Sequence, residues 1–377
     1  MGRYGDGIGT TADLGAAVET AVAQALAPLG GRTPDLALAF VSGQDAEAAG
    51  ARALALTGAR STLGCTAEGV VGGGVGVQDV SAVSVWVAEL PGARLRTFHL
   101  EVLPADGAAA VVGLPEPQEG DDVMLVLVDP FSFPVDGFLA QVAALFPDLP
   151  VAGALAHGPA GPGSTRLWLD GRTVARGAVG VLGSGTGARA VVSQGSRAVG
   201  PEMLVTEAVG NVVGALSLER ARDKVQSVLV DLPPGDQALA SRGLYLGLAA
   251  KEGEDEPEYL VRTVVGMDGD ALVLSHPAEV GQTARLHVRD ADAADADLRE
   301  VLAGAAAPGS GALLMSCRGR GRSAFGPTYG GSSHDALTAR EALGADAVGG
   351  LFTAGEIGPV GGRSWLHGFT ASVVVFP

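Results

Sequence analysis

Residues 312–322 read ALLMSCRGRGR, 348–359 read VGGLFTAGEIGP and 367–376 read HGFTASVVVF. The first stretch predicts a strand over Ala312–Cys317 and an Arg/Gly loop over Arg318–Arg322, and the residues that follow it predict a helix over Asp335–Leu343. A second strand follows over Val348–Thr353, then a loop over Ala354–Pro359 and a last strand over His367–Phe376. The apolar runs are short and bounded by glycine and proline, which favours buried strands over helices. Cys317, Arg318, Arg320, Glu356 and His367 all fall at or just past strand ends. In open α/β sheets, ligands bind beyond the carboxyl ends of the strands. If these strands are neighbours, one crevice gathers a thiol, guanidinium groups, a carboxylate and an imidazole.

Working outward, the same plan of strand, helix, strand, glycine-rich loop and strand starts near Leu36 and near Val123. Around the second strand of each passage the chain reads GCTAEG (64–69), GALAHG (153–158) and GLFTAGE (350–356). This pattern implies internal duplication, and it places Glu68, His157 and Glu356 at related points. The expected class is mixed α+β, with mixed sheets covered by helices. Strand–helix–strand units give parallel pairs.

Pro91-Gly92 is a strong turn dipeptide and predicts a hairpin between Val80–Leu90 and Arg94–Leu100. Asp170-Gly171 is a type I′ hairpin signal between Thr165–Leu169 and Thr173–Ala175, with Ala178–Leu182 and Ala188–Ser193 continuing the meander. Thr11–Leu29 reads as a helix capped by Thr10 or Thr11, and Asp45–Leu56 as one capped by Ser42 or Asp45. Ala105–Val112 reads as a short helix or loop, Pro233–Arg242 as a loop and Leu244–Lys251 as a strand. A change of character at Gly195–Pro201 divides the expected domains into 30–195 and 200–377.

Length and composition bound the function. The chain has 377 residues, is 47% hydrophobic and carries a net charge of −17. Such an acidic chain does not suit a phosphate-backbone partner, so no nucleic acid is expected. No apolar run reaches the eighteen or so residues of a span, so no membrane insertion is expected. Two cysteines, Cys65 and Cys317, make no disulfide framework, and no CxxC pair offers a zinc site. The N-terminus lacks the apolar core of a signal peptide, and Asp6 stands where a myristoylation motif has Ser or Thr. These features fit a reducing cytoplasm.

Each candidate residue has a plain alternative. Arg318 and Arg320 suit bidentate recognition of a carboxylate or phosphate, or one of them pairs with Glu356. Arg and Glu in one pocket would match both ends of an amino acid. Cys317 would be a nucleophile only with a base such as His367, and a buried strand-end thiol is favoured. His367 is expected to hydrogen-bond a neighbouring loop. The glycine loops 72–76 and 183–187 carry no phosphate-binding signature. No catalytic residue and no metal site is assigned.

The stretches 317–321, 325–326, 350–359 and 367–370 together resemble the C-terminal signature of the FIST family, named for F-box and intracellular signal transduction. The resemblance implies FIST N-like and FIST C-like parts that form a sensory module for a small ligand, with amino acids proposed for the family. Strand-end position singles out Cys317, Arg318, Arg320, Glu356 and His367, and the repeat adds Glu68, as the expected ligand-binding set. The resemblance also brings in haem, for which a lone His367 without a CxxCH motif is a weak ligand set. No output domain is apparent, so a signalling partner protein is expected. The rival reading is a cysteine-dependent hydrolase or transferase using Cys317 and His367, and the third is an interaction scaffold.

Overall fold

The computed structural model describes residues 2–11, 13–105, 108–250 and 258–377. The chain divides into two compact units, residues 1–193 with 298–377, and residues 194–297.

The first unit opens with β1 (Arg3–Gly9) and α1 (Leu14–Leu26). The first repeat follows: β2 (Leu36–Ser42), α2 (Ala46–Thr57), β3 (Ser61–Thr66), the hairpin β4 (Gly69–Gly72) and β5 (Val75–Gln78), and β6 (Ala82–Glu89). Next come β7 (Arg94–Ala105) and β8 (Ala108–Val112). The second repeat is β9 (Asp121–Val128), α3 (Val135–Leu145), β10 (Val151–Leu155), the hairpin β11 (Leu167–Leu169) and β12 (Arg172–Val174), and β13 (Ala178–Ser184). The strand β14 (Arg189–Ser193) leads out of it.

The second unit then runs through β15 (Ser196–Val209), β16 (Val212–Leu216), β17 (Glu219–Arg220), α4 (Ala221–Asp231) and α5 (Pro234–Ala240). It continues with β18 (Tyr245–Ala249), β19 (Tyr259–Asp268), β20 (Ala271–Leu274) and β21 (Thr283–Arg289). After α6 (Ala291–Gly304) the third repeat closes the chain. It comprises β22 (Gly311–Cys317), α7 (His334–Leu343), β23 (Ala347–Thr353), the hairpin β24 (Glu356–Val360) and β25 (Arg363–His367), and β26 (Ala371–Phe376).

The three repeats share one topology. In each, the first and second strands run parallel, and the last strand pairs antiparallel with the first. A leading strand (β1, β7 or β14) then flanks the last one. The hairpin never joins its own sheet. The first repeat's β4–β5 pairs with β23, the second's β11–β12 with β3, and the third's β24–β25 with β10. The exchange is cyclic, so every sheet is completed by another repeat.

The inner faces of all three sheets share one hydrophobic cluster, including Phe40, Trp86, Leu125, Leu127, Met315 and Phe376. Each buried aliphatic or phenyl side chain contributes about 1.5–3 kcal/mol. The outer faces are covered by helices: α1 and α2 on the first sheet, α3 on the second, α6 and α7 on the third. One glycine position recurs in the second strands. Gly64, Gly153 and Gly350 lie so close to the first-strand carbonyls of Ala39, Val126 and Leu314 that an added Cβ would sit 2.3, 1.8 and 1.8 Å from those oxygens.

The second unit is an antiparallel barrel. Strands run in the order β15-β21-β18-β19-β20-β16, and pairing of β15 with β16 closes the ring around its own core.

Several local expectations change. The turn at Pro91-Gly92 makes no hairpin, because β6 pairs with β1 and β2 while β7 pairs with β13 and β8. Likewise β13 and β14 lie in different sheets. Asp13, not Thr10 or Thr11, caps α1 by accepting from the Gly15 N–H at 2.8 Å. Asp45 precedes α2 in a left-handed conformation without a side-chain cap bond. Pro233–Arg242 contains α5, with proline in its first turn. Residues 108–112 form a strand, and residues 106–107 and Lys251 lie outside the described residues. The change of character at Gly195–Pro201 coincides with the start of β15, whose register shifts between Val199 and Met203. The Asp170-Gly171 turn has the two positive φ angles, 46° and 77°, that a type I′ turn requires.

Candidate functional site

The hairpin exchange forces the chain to cross from sheet to sheet just beyond the carboxyl ends of the second strands. The crossings are stitched to one another by backbone hydrogen bonds. Glu68 N donates to Phe352 O (3.2 Å), His157 N to Thr66 O (2.9 Å) and Leu155 N to Gly355 O (2.9 Å). The Thr353 hydroxyl donates to Leu155 O at 2.7 Å.

The stitching brings one polar side chain from each repeat into a cluster. Glu68 Oε2 lies 3.1 Å from Arg318 Nε, and Glu68 Oε1 lies 3.4 Å from His157 Nδ1. Glu68 is nearly buried at 8% side-chain exposure, whereas His157 and Arg318 stand open at 43% and 61%. The Glu68–Arg318 approach is close enough for an ion pair but lacks hydrogen-bond alignment, leaving Oε2 without a directed donor. Asp79 Oδ1 lies 4.0 Å from Arg318 Nη2. Gln78 fixes the base of the loop, donating to Arg318 O at 3.0 Å and accepting from Ser332 Oγ at 2.9 Å.

A second tier is buried. Arg320 forms a two-pronged pair with Asp335 at 2.9 and 3.0 Å. Asp335 also accepts from Ser316 Oγ at 2.7 Å and lies 2.9 Å from His334 Nδ1. His334 stacks on Phe325 with ring centroids 3.6 Å apart. Burial alone would raise the Asp335 carboxyl, but the Arg320 charge and the hydrogen bonds from His334 and Arg320 outweigh it and hold the group well below the carboxylate range. The expected clamp between Arg320 and Glu356 is therefore replaced by one with Asp335.

Glu356 is fully buried, and its Oε2 accepts from Thr370 N (3.0 Å) and Thr370 Oγ1 (2.8 Å). Burial pushes its carboxyl up to about 8, against the lowering effect of hydrogen bonds from Thr370 and the Cys317 thiol and of the Arg320 charge. His367 lies opposite Glu356 in the β24–β25 ladder, buried, with Nε2 2.9 Å from Gly358 O. Haem ligation through that nitrogen would have to break the contact. Among the described residues no group of three or more His, Cys, Asp or Glu could hold a metal.

The six residues expected from the sequence thus fall into two tiers. Glu68 and Arg318 meet at the open cluster, while Cys317, Arg320, Glu356 and His367 lie in the buried bed. His157, which the repeat places at a point related to Glu68, joins the open cluster although it is not among those six. Asp335, Gln78 and Thr370 were not singled out, and no local spacing marks them as partners of Arg320, Arg318 and Glu356.

No helix among the described residues is long and apolar enough to cross a membrane. The FIST N domain matches residues 35–218 and the FIST C domain residues 221–359, so Glu68 lies in the first match and Arg318 in the second. Over 99% of its length the chain is 36% identical to a Mycobacterium tuberculosis protein named "Uncharacterized protein Rv0628c", of which 99% is covered. It is 35% identical, again over 99% of its length, to "Uncharacterized protein Mb0898c" of Mycobacterium bovis, of which 98% is covered. The chain belongs to the FIST family, whose domains are associated with the sensory modules of signal transduction.

Proposed function

We propose that this chain is a cytoplasmic sensor that binds an amino acid at the Glu68–Arg318–His157 cluster. The observation that carries the reading is the convergence of one polar side chain from each repeat on a partly open point beyond the strand ends. Arg318 offers a guanidinium fork for the ligand carboxylate, and Glu68 offers a carboxylate for the ammonium group. In this reading the FIST N-like part, 30–195, supplies Glu68, and the FIST C-like part, 200–377, supplies Arg318. The buried tier holds the bed on which both stand. The ligand favours one arrangement of the crossings over another by its differential affinity, and a partner protein reads the shift. Both cysteines are free thiols, which fits a reducing compartment.

The test is a calorimetric and thermal-shift screen of the whole chain against the amino acids, repeated on Arg318→Ala and Glu68→Gln. A charge-assisted hydrogen bond is worth about 1.5–3 kcal/mol, so each variant should bind at least about tenfold more weakly. An amino acid that binds both variants as well as the parent, or no binding by any amino acid, would overturn the assignment.

A further inference from the structure

We propose that the groove between α3 and the β24–β25 hairpin is a separate site for a small carboxylate with an aliphatic body. The groove encloses about 340 Å³, within the range of small-molecule pockets. Leu139 and Val142 of α3, with Ala190 of β14, give it an apolar wall. Its polar anchor is Arg363, the first residue of β25 after the Gly361-Gly362 turn.

Three features of Arg363 point to an anion. Its guanidinium carbon lies 4.1 Å from the centre of the Trp365 ring, which holds the plane in place. Its Nε is buried and has no hydrogen-bond acceptor. Among the described residues no carboxylate is paired with it. A buried N–H without an acceptor is unfavourable, and the planar fork suits a carboxylate better than a point anion. Asp148 lines the groove too but is exposed, so water screens its charge.

The geometry recurs once by the repeat. A groove of about 380 Å³ lies between α2 and β11–β12, and there Arg172 is likewise the first residue after the turn. Arg172 is exposed, so its charge is already hydrated. In the first repeat's hairpin, β4–β5, the same position is Val75. The Arg363 groove is therefore the one that combines a cation, a shielded donor and an apolar wall.

Titration of the full chain with isobutyrate, followed by calorimetry or backbone amide shifts, tests the site, with inorganic phosphate as the generic anion. Isobutyrate should bind saturably and phosphate should not compete. Arg363→Gln should weaken isobutyrate by about tenfold or more, whereas Arg172→Gln and Glu68→Gln should leave it unchanged. Arg363→Lys keeps the charge but removes the fork, so it should also lose most of the affinity while preserving the fold. The proposal is overturned if isobutyrate does not bind, if phosphate binds equally well, or if Arg363→Gln and Arg363→Lys, folded by circular dichroism, bind isobutyrate as the parent does.

Discussion

Arg320→Ala removes the guanidinium that forms the two-pronged pair with Asp335. Both side chains are almost fully buried, at 0% and 3% exposure. Without Arg320, Asp335 keeps its contacts with Ser316 and His334 but loses the charge that balances it. Deleting one partner of a buried ion pair destabilises by about 3–5 kcal/mol. In a unit of this size each kcal/mol shifts Tm by about 2–4 °C, so the melt should fall by about 6–20 °C.

The pH dependence gives a second readout. In the parent, the folded Asp335 carboxyl is held below its unfolded value. Its stabilising contribution is therefore complete above the ordinary carboxylate range and is lost as pH falls toward the folded value. In Arg320→Ala burial dominates and the carboxyl is raised, so the variant recovers stability as the group protonates. The gap between parent and variant should be wide at neutral pH and narrow toward about pH 4. Urea unfolding followed by circular dichroism at both pH values measures it. The double change Arg320→Met with Asp335→Asn should restore much of the loss, because no buried charge remains. An Arg320→Ala protein that unfolds at the parent's urea midpoint yet fails to bind an amino acid would make Arg320 a ligand contact, and the structural role argued here would fall.

Two more outcomes follow from burial and close contact. Glu356 is raised from 4.5 to about 8 in the folded chain, so the folded state holds a proton that the unfolded state releases. Stability should decline as pH rises through that interval; Glu356→Gln should flatten the profile, and an unchanged slope in urea midpoints across pH 5 to 8 would count against it. Gly350→Ala would place a methyl 1.8 Å from Leu314 O, and should destabilise by about 1–3 kcal/mol or more. The solvent-facing control Gly137→Ala, where no atom lies within 4 Å, should stabilise by about 0.5–1 kcal/mol, and equal effects at the two sites would refute the close-packing argument.

The parts of the fold legible in the sequence are those set by local chemistry. The first and second strands of each repeat are apolar runs ended by glycine, and the recurring glycine at 64, 153 and 350 exposed the repeat itself. Pairing was not legible. Pro91-Gly92 reverses the chain, but a turn does not say which sheet the next strand will enter. That choice belongs to distant buried faces, and the exchange of hairpins makes it non-local three times over. β1 was hidden for another reason. Its alternate positions Gly5, Gly7 and Gly9 carry no side chain to betray a strand, since Ala25, Ala21 and Ala17 of α1 lie directly over them. At the site, strand ends marked Arg318 and Arg320 alike, and only the fold shows which guanidinium turns inward.

The exchange also bears on how a sensor of this design would respond. Glu68 and His157 sit on the segments whose backbone bonds join one sheet to the next. Arg318 follows directly from β22, whose partner β23 receives the hairpin that begins after Glu68. A ligand held between Glu68 and Arg318 therefore grips two sheets at the point where they are stitched. It changes the balance between alternative positions of the sheets only by the difference in its affinity for them. The glycine contacts at 64, 153 and 350 oppose movement within each parallel pair, so the motion available to ligand lies in the crossings. Loosening one crossing without touching the ligand contacts, as Thr353→Val does by removing the 2.7 Å hydroxyl bond to Leu155 O, should then alter amino-acid affinity although Thr353 contributes no charge to the cluster. An affinity indifferent to that bond would mean that ligand and crossings are not coupled.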